Sequence, residues 1–275
     1  MDSAHDRIAE TKSGELVSGV ASAEQATHPI SDDAKVSLPV RSEAACVSVQ
    51  EGYDRWARIY DEAPNPLLAL EERHLTSILR NFAAGNVLDL GCGTGRWLTR
   101  LLARGASSVV GIDLSAAMLS IARGKSAIRD RLVLANGLQL PFQSSAFHFV
   151  LSSFALNHIM DLQALARELA RTTKLEGRLL ISEMHPEAYA RGWRPGFRDI
   201  RGAGQIITAN HSTERIRSHF RSNGFALIRL HDLFFAEPER PIFLSAGRGD
   251  MFESACHVPA IQVYEFMKVE SETRS

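Results

Sequence analysis

Val87-Leu88-Asp89-Leu90-Gly91-Cys92-Gly93-Thr94-Gly95 decides how this chain is read. A short apolar run carrying an acid gives way to three glycines on alternate positions, the pattern of a buried strand that breaks into a tight loop. Glycine suits such a loop because the backbone must pass through φ values that a Cβ forbids, and because a ligand can then approach the main chain closely. Further along, Val109-Val110-Gly111-Ile112-Asp113 is a second apolar run ending in a carboxylate. It follows the loop at about the twenty-residue distance at which a second parallel strand offers an acid to a ribose. Two carboxylates, Asp89 and Asp113, then face one nucleoside ligand.

Outward from this stretch, short apolar runs alternate with helical patterns. Strands are expected near 86–90, 108–113, 131–135, 147–152 and 177–183, with helices from Arg96, from Ser115 and around 161–173. Such alternation calls for an α/β architecture: a doubly wound, mostly parallel sheet with helices on both faces. After a helix around 212–221, two further strands are read at 225–230 and 261–267. Between them and Glu183, the concentration of Pro186, Gly192, Pro195, Gly196, Gly202 and Gly204 favours irregular structure, so 184–211 is taken as an insertion over the active-site end of the sheet. Residues 1–48 hold few aromatics and no sustained period, and are expected to form a flexible extension ahead of a domain at 49–275. That domain opens with a helical segment, 50–83, in which Tyr53, Trp56 and Tyr60 fall on one helical face.

The glycine loop and its two acids resemble those of the class I S-adenosylmethionine-dependent methyltransferases, in the small-molecule group of methyltransferase-11 type. Leu140-Pro141-Phe142, the run Phe147–Ser152 and the passage from Glu168 through Gly177 to Glu183 extend the similarity over roughly Tyr53 to Glu183. The resemblance implies a seven-stranded Rossmann-like sheet with an antiparallel last strand, S-adenosyl-L-methionine as cofactor, and methyl transfer to O, N or C of a small acceptor. It also implies a preceding helix that folds over the cofactor, bringing Tyr60 to the cofactor and Tyr53 to the acceptor. A dinucleotide fingerprint would need its third glycine at position 96, where Arg96 stands, which argues against a nicotinamide or flavin enzyme.

For a sulfonium nucleoside, Asp113 can accept from both ribose hydroxyls, while Asp89 and the Gly91 carbonyl can accept from the methionyl ammonium. Gly93 and Gly95 complete the loop, and Leu114 follows the ribose acid. Where relatives place Gly-Asp-Ala this chain has Ala135-Asn136-Gly137, so Asn136, Gly137 and Leu138, with Met118, are expected around the adenine. Asn136-Gly137 equally fits a tight turn. In-line methyl transfer asks the protein chiefly to align the reactants in a dry site, and requires no metal. A base helps where the nucleophile carries a proton, and His185 and His158 are the candidates at strand ends. Asn157, Glu183, Trp193, Phe197 and His211 are expected to shape the acceptor site.

Charge and composition narrow the partners. A formal net charge of -1 gives no reason to expect nucleic acid. Three unpaired, widely spaced cysteines fit a reducing, cytoplasmic setting, and no apolar run approaches membrane-spanning length. The expected partner is a small-molecule acceptor, with the chain a monomer or homodimer and no membrane attachment. The competing function is a catalytically silent protein that binds the cofactor in a structural or regulatory role.

Overall fold

The computed structural model describes residues 44–62, 64–79 and 85–270. Strand β2 (Asn86–Leu90) and strand β3 (Ser108–Asp113) pair in parallel, with β4 (Leu132–Leu134) outside β3. The chain then crosses to the other side of β2 to form β5 (Phe147–Ser153) and β6 (Thr173–Met184), again parallel. The last strand, β10 (Ile261–Lys268), runs antiparallel between β6 and the edge strand β9 (Phe225–Leu233), giving the order β4-β3-β2-β5-β6-β10-β9. This is the expected seven-stranded sheet. Its strand order reverses between β2 and β5, and in open α/β sheets the crevice beyond the carboxyl ends at such a point is where ligands bind.

The central strands are nearly continuous apolar runs because both faces are covered. Leu98 and Leu101 of α3 (Arg96–Ala103) and Leu119 of α4 (Ala116–Arg123) share one buried cluster with Leu70 and Leu75 of α2 (Pro66–Ile78). Leu165 and Leu169 of α5 (Leu162–Thr172) and Phe220 of α7 (Thr213–Ser222) fill the other face. Ser115 caps α4 as expected, its Oγ accepting from the Met118 N–H at 3.1 Å. The second helix was expected to run to about Phe82; it ends at Ile78, and Phe82 lies outside the described residues.

Two expectations are corrected here. The segment after β6 is not irregular: α6 (Pro186–Ala190) is followed by a hairpin of β7 (Gly196–Asp199) and β8 (Gly202–Ile206). Its glycines serve packing as much as turning, since a Cβ on Gly204 would lie 2.7 Å from the Phe197 ring. Nor does the extension reach residue 48. Strand β1 (Ala45–Val47) pairs in parallel with β8, and Ser48 caps α1 (Val49–Trp56). Residues 1–43, the rest of that extension, lie outside the described residues. A chain truncated to begin at Ser48 loses β1 and the buried Val47, a loss of about 1–2 kcal/mol by side-chain burial. Its melting temperature should fall by roughly 3–6 °C in a thermal shift assay relative to a chain beginning at residue 44.

Not read from the sequence is the path from β9 to β10, which passes through α8 (Arg240–Ser245) and α9 (Gly249–Ala255). No helix among the described residues is long and apolar enough to cross a membrane.

Candidate active site

The loop after β2 turns through three left-handed glycines, Gly91 (φ +71°), Gly93 (+53°) and Gly95 (+78°). Gly91 and Cys92 both donate to the Ile112 carbonyl at 2.9 Å, tying the loop to β3. A Cβ on Gly91 would come within 2.5 Å of Ala155, whereas one on Gly93 would meet nothing within 4 Å. The main chain at Gly93 therefore faces open space. Asp113 ends β3 there, its Oδ2 accepting from the Gly93 N–H and its Oδ1 from the Ser115 N–H, both at 2.8 Å. These two donors fix the carboxylate and leave a lone pair on each oxygen. Burial raises the Asp113 pKa, opposed by the backbone donors of Ser115, Gly93 and Leu114.

Asp89 is the chemical anomaly of the fold. It is 1% exposed, and neither carboxyl oxygen has a hydrogen-bond partner among the described residues. Burial pushes its pKa up to about 8, with Arg96 pulling against it and Glu71 and Asp113 adding to it. A carboxyl group with both oxygens orphaned inside a fold is costly unless a ligand supplies the donors.

Helix α1 and the turn after it close over this region. Asp54 accepts from the Ser115 hydroxyl at 2.5 Å, and Asp61 from Thr94 Oγ1 at 2.7 Å and Lys125 Nζ at 2.8 Å. A bidentate pair between Arg55 and Asp199 (2.9 and 3.0 Å) and stacking of Trp56 on Phe197 join α1 to the hairpin.

Beside the loop, at the carboxyl ends of β5 and β6, is a cavity of about 910 Å³. Tyr53, Tyr60, Phe197, His158 and Glu183 line it. Asp89, Asp113 and the glycines do not line it; Tyr53, within electrostatic reach of both Asp113 and Glu183, stands between the two regions. Tyr53 Oη lies 2.8 Å from His158 Nε2. Burial lowers the His158 pKa to about 4, against a smaller opposing pull from the Ile207 backbone, so the imidazole is neutral at pH 7 and its Nε2 accepts from the phenol. Glu183 accepts from the Leu156 N–H and is turned toward the Asn157 amides, yet burial outweighs these donors and raises its pKa to about 8.

Several expected site residues are placed elsewhere. His185 does not line the cavity: Nδ1 accepts from the Glu187 N–H at 3.0 Å as the cap of α6, and Nε2 faces Asp232 at 3.4 Å. Trp193 is fully buried and stacks on Phe235 in the core. Buried His211 binds the Ile159 carbonyl through Nε2 at 2.8 Å, and Asn157 Oδ1 accepts the His211 N–H at 3.0 Å; neither lines the cavity. The Asn136 side chain closes a turn, its Oδ1 accepting from the Leu138 N–H at 2.9 Å. Gly137 packs under Leu90, Met118 is buried, and Leu114 is half exposed beside Asp113.

Sequence reading missed Glu71. This fully buried acid of α2 binds the Arg96 guanidinium, Trp97 Nε1 (3.2 Å), Ser153 Oγ (2.7 Å) and Ser182 Oγ. It joins the ends of β5 and β6 to the start of α3, and occupies the Arg96 guanidinium.

A Rossmann-like sheet with a glycine loop at its switch point and acids near the ends of two adjacent strands is an arrangement suited to a nucleoside. The sequence pattern described as the methyltransferase domain matches residues 88–181. A demethylmenaquinone methyltransferase of Tropheryma whipplei (strain Twist) is 34% identical over 148 residues, covering 51% of this chain and 61% of that protein. This chain thus spans about three fifths of that relative's length. Among solved structures, an S-adenosylmethionine-dependent methyltransferase from Mesorhizobium loti matches with a TM-score of 0.57 at 21% identity, over 74% of this chain and all of that one. The [4+2]-cyclase SpnF matches with a TM-score of 0.57 at 18% identity, over 83% of this chain and 98% of that one. At such identities the likeness is one of fold. Over residues 88–181 the chain is similar to the methyltransferase domain, and over about half its length to these methyltransferases.

Proposed function

We propose that this protein is an S-adenosylmethionine-dependent methyltransferase acting on a small-molecule acceptor. The observation that carries this reading is Asp89, whose two orphaned oxygens suit the methionyl ammonium, one strand away from Asp113 with a free lone pair on each oxygen for the ribose diol. The open space over Gly93 fits a nucleoside against the loop. Bound there, S-adenosylmethionine supplies an electrophilic methyl group. Asp89, Gly91, Gly93, Gly95 and Asp113 hold the methionyl and ribose parts, with Tyr60 above them. Leu114, Met118, Asn136, Gly137 and Leu138 surround the adenine.

The acceptor occupies the adjoining cavity. Tyr53 donates its hydroxyl hydrogen to neutral His158, so its oxygen lone pairs are left to accept from the acceptor's O–H or N–H and orient the nucleophile. Neutral His158, with a pKa near 4, is a weak proton acceptor; Glu183, near 8, is matched to working pH and takes the proton. Both groups act on the acceptor side, and His185 serves the fold. Methyl transfer should therefore show log kcat/KM rising with unit slope below about pH 8 and levelling above it. In Glu183→Gln the rise should disappear and turnover fall about 100-fold. A pH profile of the variant that keeps the wild-type slope would remove Glu183 from this role.

The reading itself is tested by calorimetric titration with S-adenosylmethionine and its demethylated product. Both should bind one to one, and Asp113→Ala should weaken both by at least 30-fold through loss of two charge-assisted hydrogen bonds. Unchanged affinity in that variant would overturn it.

A further inference from the structure

Arg194, between α6 and β7, lines the acceptor cavity and has no acid within salt-bridge distance among the described residues. Its guanidinium is nonetheless held in place. Nη1 donates to the Tyr189 carbonyl at 2.7 Å and to the Trp193 carbonyl at 2.6 Å, and the group sits 5.5 Å from the Tyr189 ring centroid. Nε and Nη2 make no hydrogen bond among the described residues, so one edge of the fork is oriented and unused. Most of the surrounding wall is apolar or aromatic, including Ile59, Leu68, Phe154, Met184 and Met251. A pre-oriented, partly buried cation in such a wall is expensive without a counter-charge, and its planar edge matches an oxyanion bidentately. Glu183, in the same cavity, is largely protonated at pH 7 and does not repel an anion.

We infer that Arg194 anchors an oxyanion, carboxylate or phosphoryl, of an otherwise apolar methyl acceptor whose nucleophile lies at the Tyr53 and Glu183 end of the cavity. The acceptor class is thus an apolar or aromatic acid, or a phosphate ester of comparable size. A cavity of about 910 Å³ gives room for such a body beyond its reacting group. This inference rests on the methyl-acceptor reading of the cavity.

The probes are 2-naphthoate, 2-naphthyl phosphate and the neutral 2-naphthamide, each titrated calorimetrically into the full chain saturated with S-adenosylhomocysteine. At least one anion should bind tenfold or more tightly than the amide. Arg194→Met should abolish that preference while leaving S-adenosylhomocysteine affinity within twofold. Arg194→Lys, which keeps the charge and loses the fork, should retain a smaller preference, and Arg248→Met, at another residue lining the cavity, should keep it in full. Equal affinities for anions and amide, no anion binding, or an undiminished preference in Arg194→Met would each overturn the inference. Failure of S-adenosylhomocysteine to bind the wild type would instead strike the methyltransferase reading, so the two failures are distinguishable.

Discussion

Asp89→Asn should weaken S-adenosylhomocysteine binding by about 100-fold, or about 2.8 kcal/mol, while making the free protein more stable at pH 8. The loss follows from removing a charged acceptor for the ligand ammonium, since hydrogen bonds to charged groups contribute about 1.5–3 kcal/mol. The gain follows from linkage. Asp89 has its pKa raised from 3.8 to about 8 by burial, so folding takes up a proton between those values. Its contribution to stability is complete below about pH 4, declines as pH rises through that window and is gone above about pH 8. Asparagine carries no such decline. Urea unfolding of the two proteins at pH 5 and pH 8 should show their difference growing with pH in favour of the variant. A variant destabilised at both pH values, or one with undiminished ligand affinity, would separate Asp89 from this role.

The largest effect on stability is expected at Glu71. Glu71→Ala leaves the Arg96 guanidinium with only the more distant Glu72, at 3.8 Å, and removes a partner from Trp97, Ser153 and Ser182 together. Breaking a buried ion pair from one side costs about 3–5 kcal/mol. The corresponding fall in melting temperature is roughly 10 °C for a domain of this size, measurable by calorimetry. Glu71→Gln, which keeps shape and an amide for the serines, should cost less than half as much. Equal stability of Glu71→Ala and wild type would contradict the network.

What the sequence makes legible and what it hides have physical causes. The glycine loop and the acids Asp89 and Asp113 stand out because a loop needing positive φ, at the end of a strand buried on both faces, permits few residue types. Helical and strand periods along the rest of the sheet are equally direct. The hairpin β7–β8 is obscured because its strands are four and five residues long and contain glycines that also read as loop formers. Helices α8 and α9, at six and seven residues, are too short to display a period.

At the site, side-chain direction is the missing quantity. His185, followed by Pro186 at the first helical position, carried a readable signal of a cap; its neighbourhood at a strand end pointed instead toward catalysis. Trp193 stands four residues ahead of Phe197, but only Phe197 reaches the cavity. Glu71 and Arg194 gave no sequence signal at all. An acid on a helix and a basic residue in a turn-rich segment both read as solvated surface; the serines that Glu71 binds come from distant parts of the chain, and the carbonyls that hold Arg194 are main-chain groups that no side-chain pattern reveals.

The cofactor assignment makes one further demand that a single titration can check. If an ammonium seats against Asp89, the carboxyl must ionise, and with a pKa near 8 it is about nine-tenths protonated at pH 7. Calorimetry of S-adenosylhomocysteine binding at pH 7, repeated in buffers of different ionisation enthalpy, should register the release of close to one proton per ligand in the wild type and markedly less in Asp89→Asn. Binding with no proton release, or no binding at all, would contradict the placement of the nucleoside between these two strands.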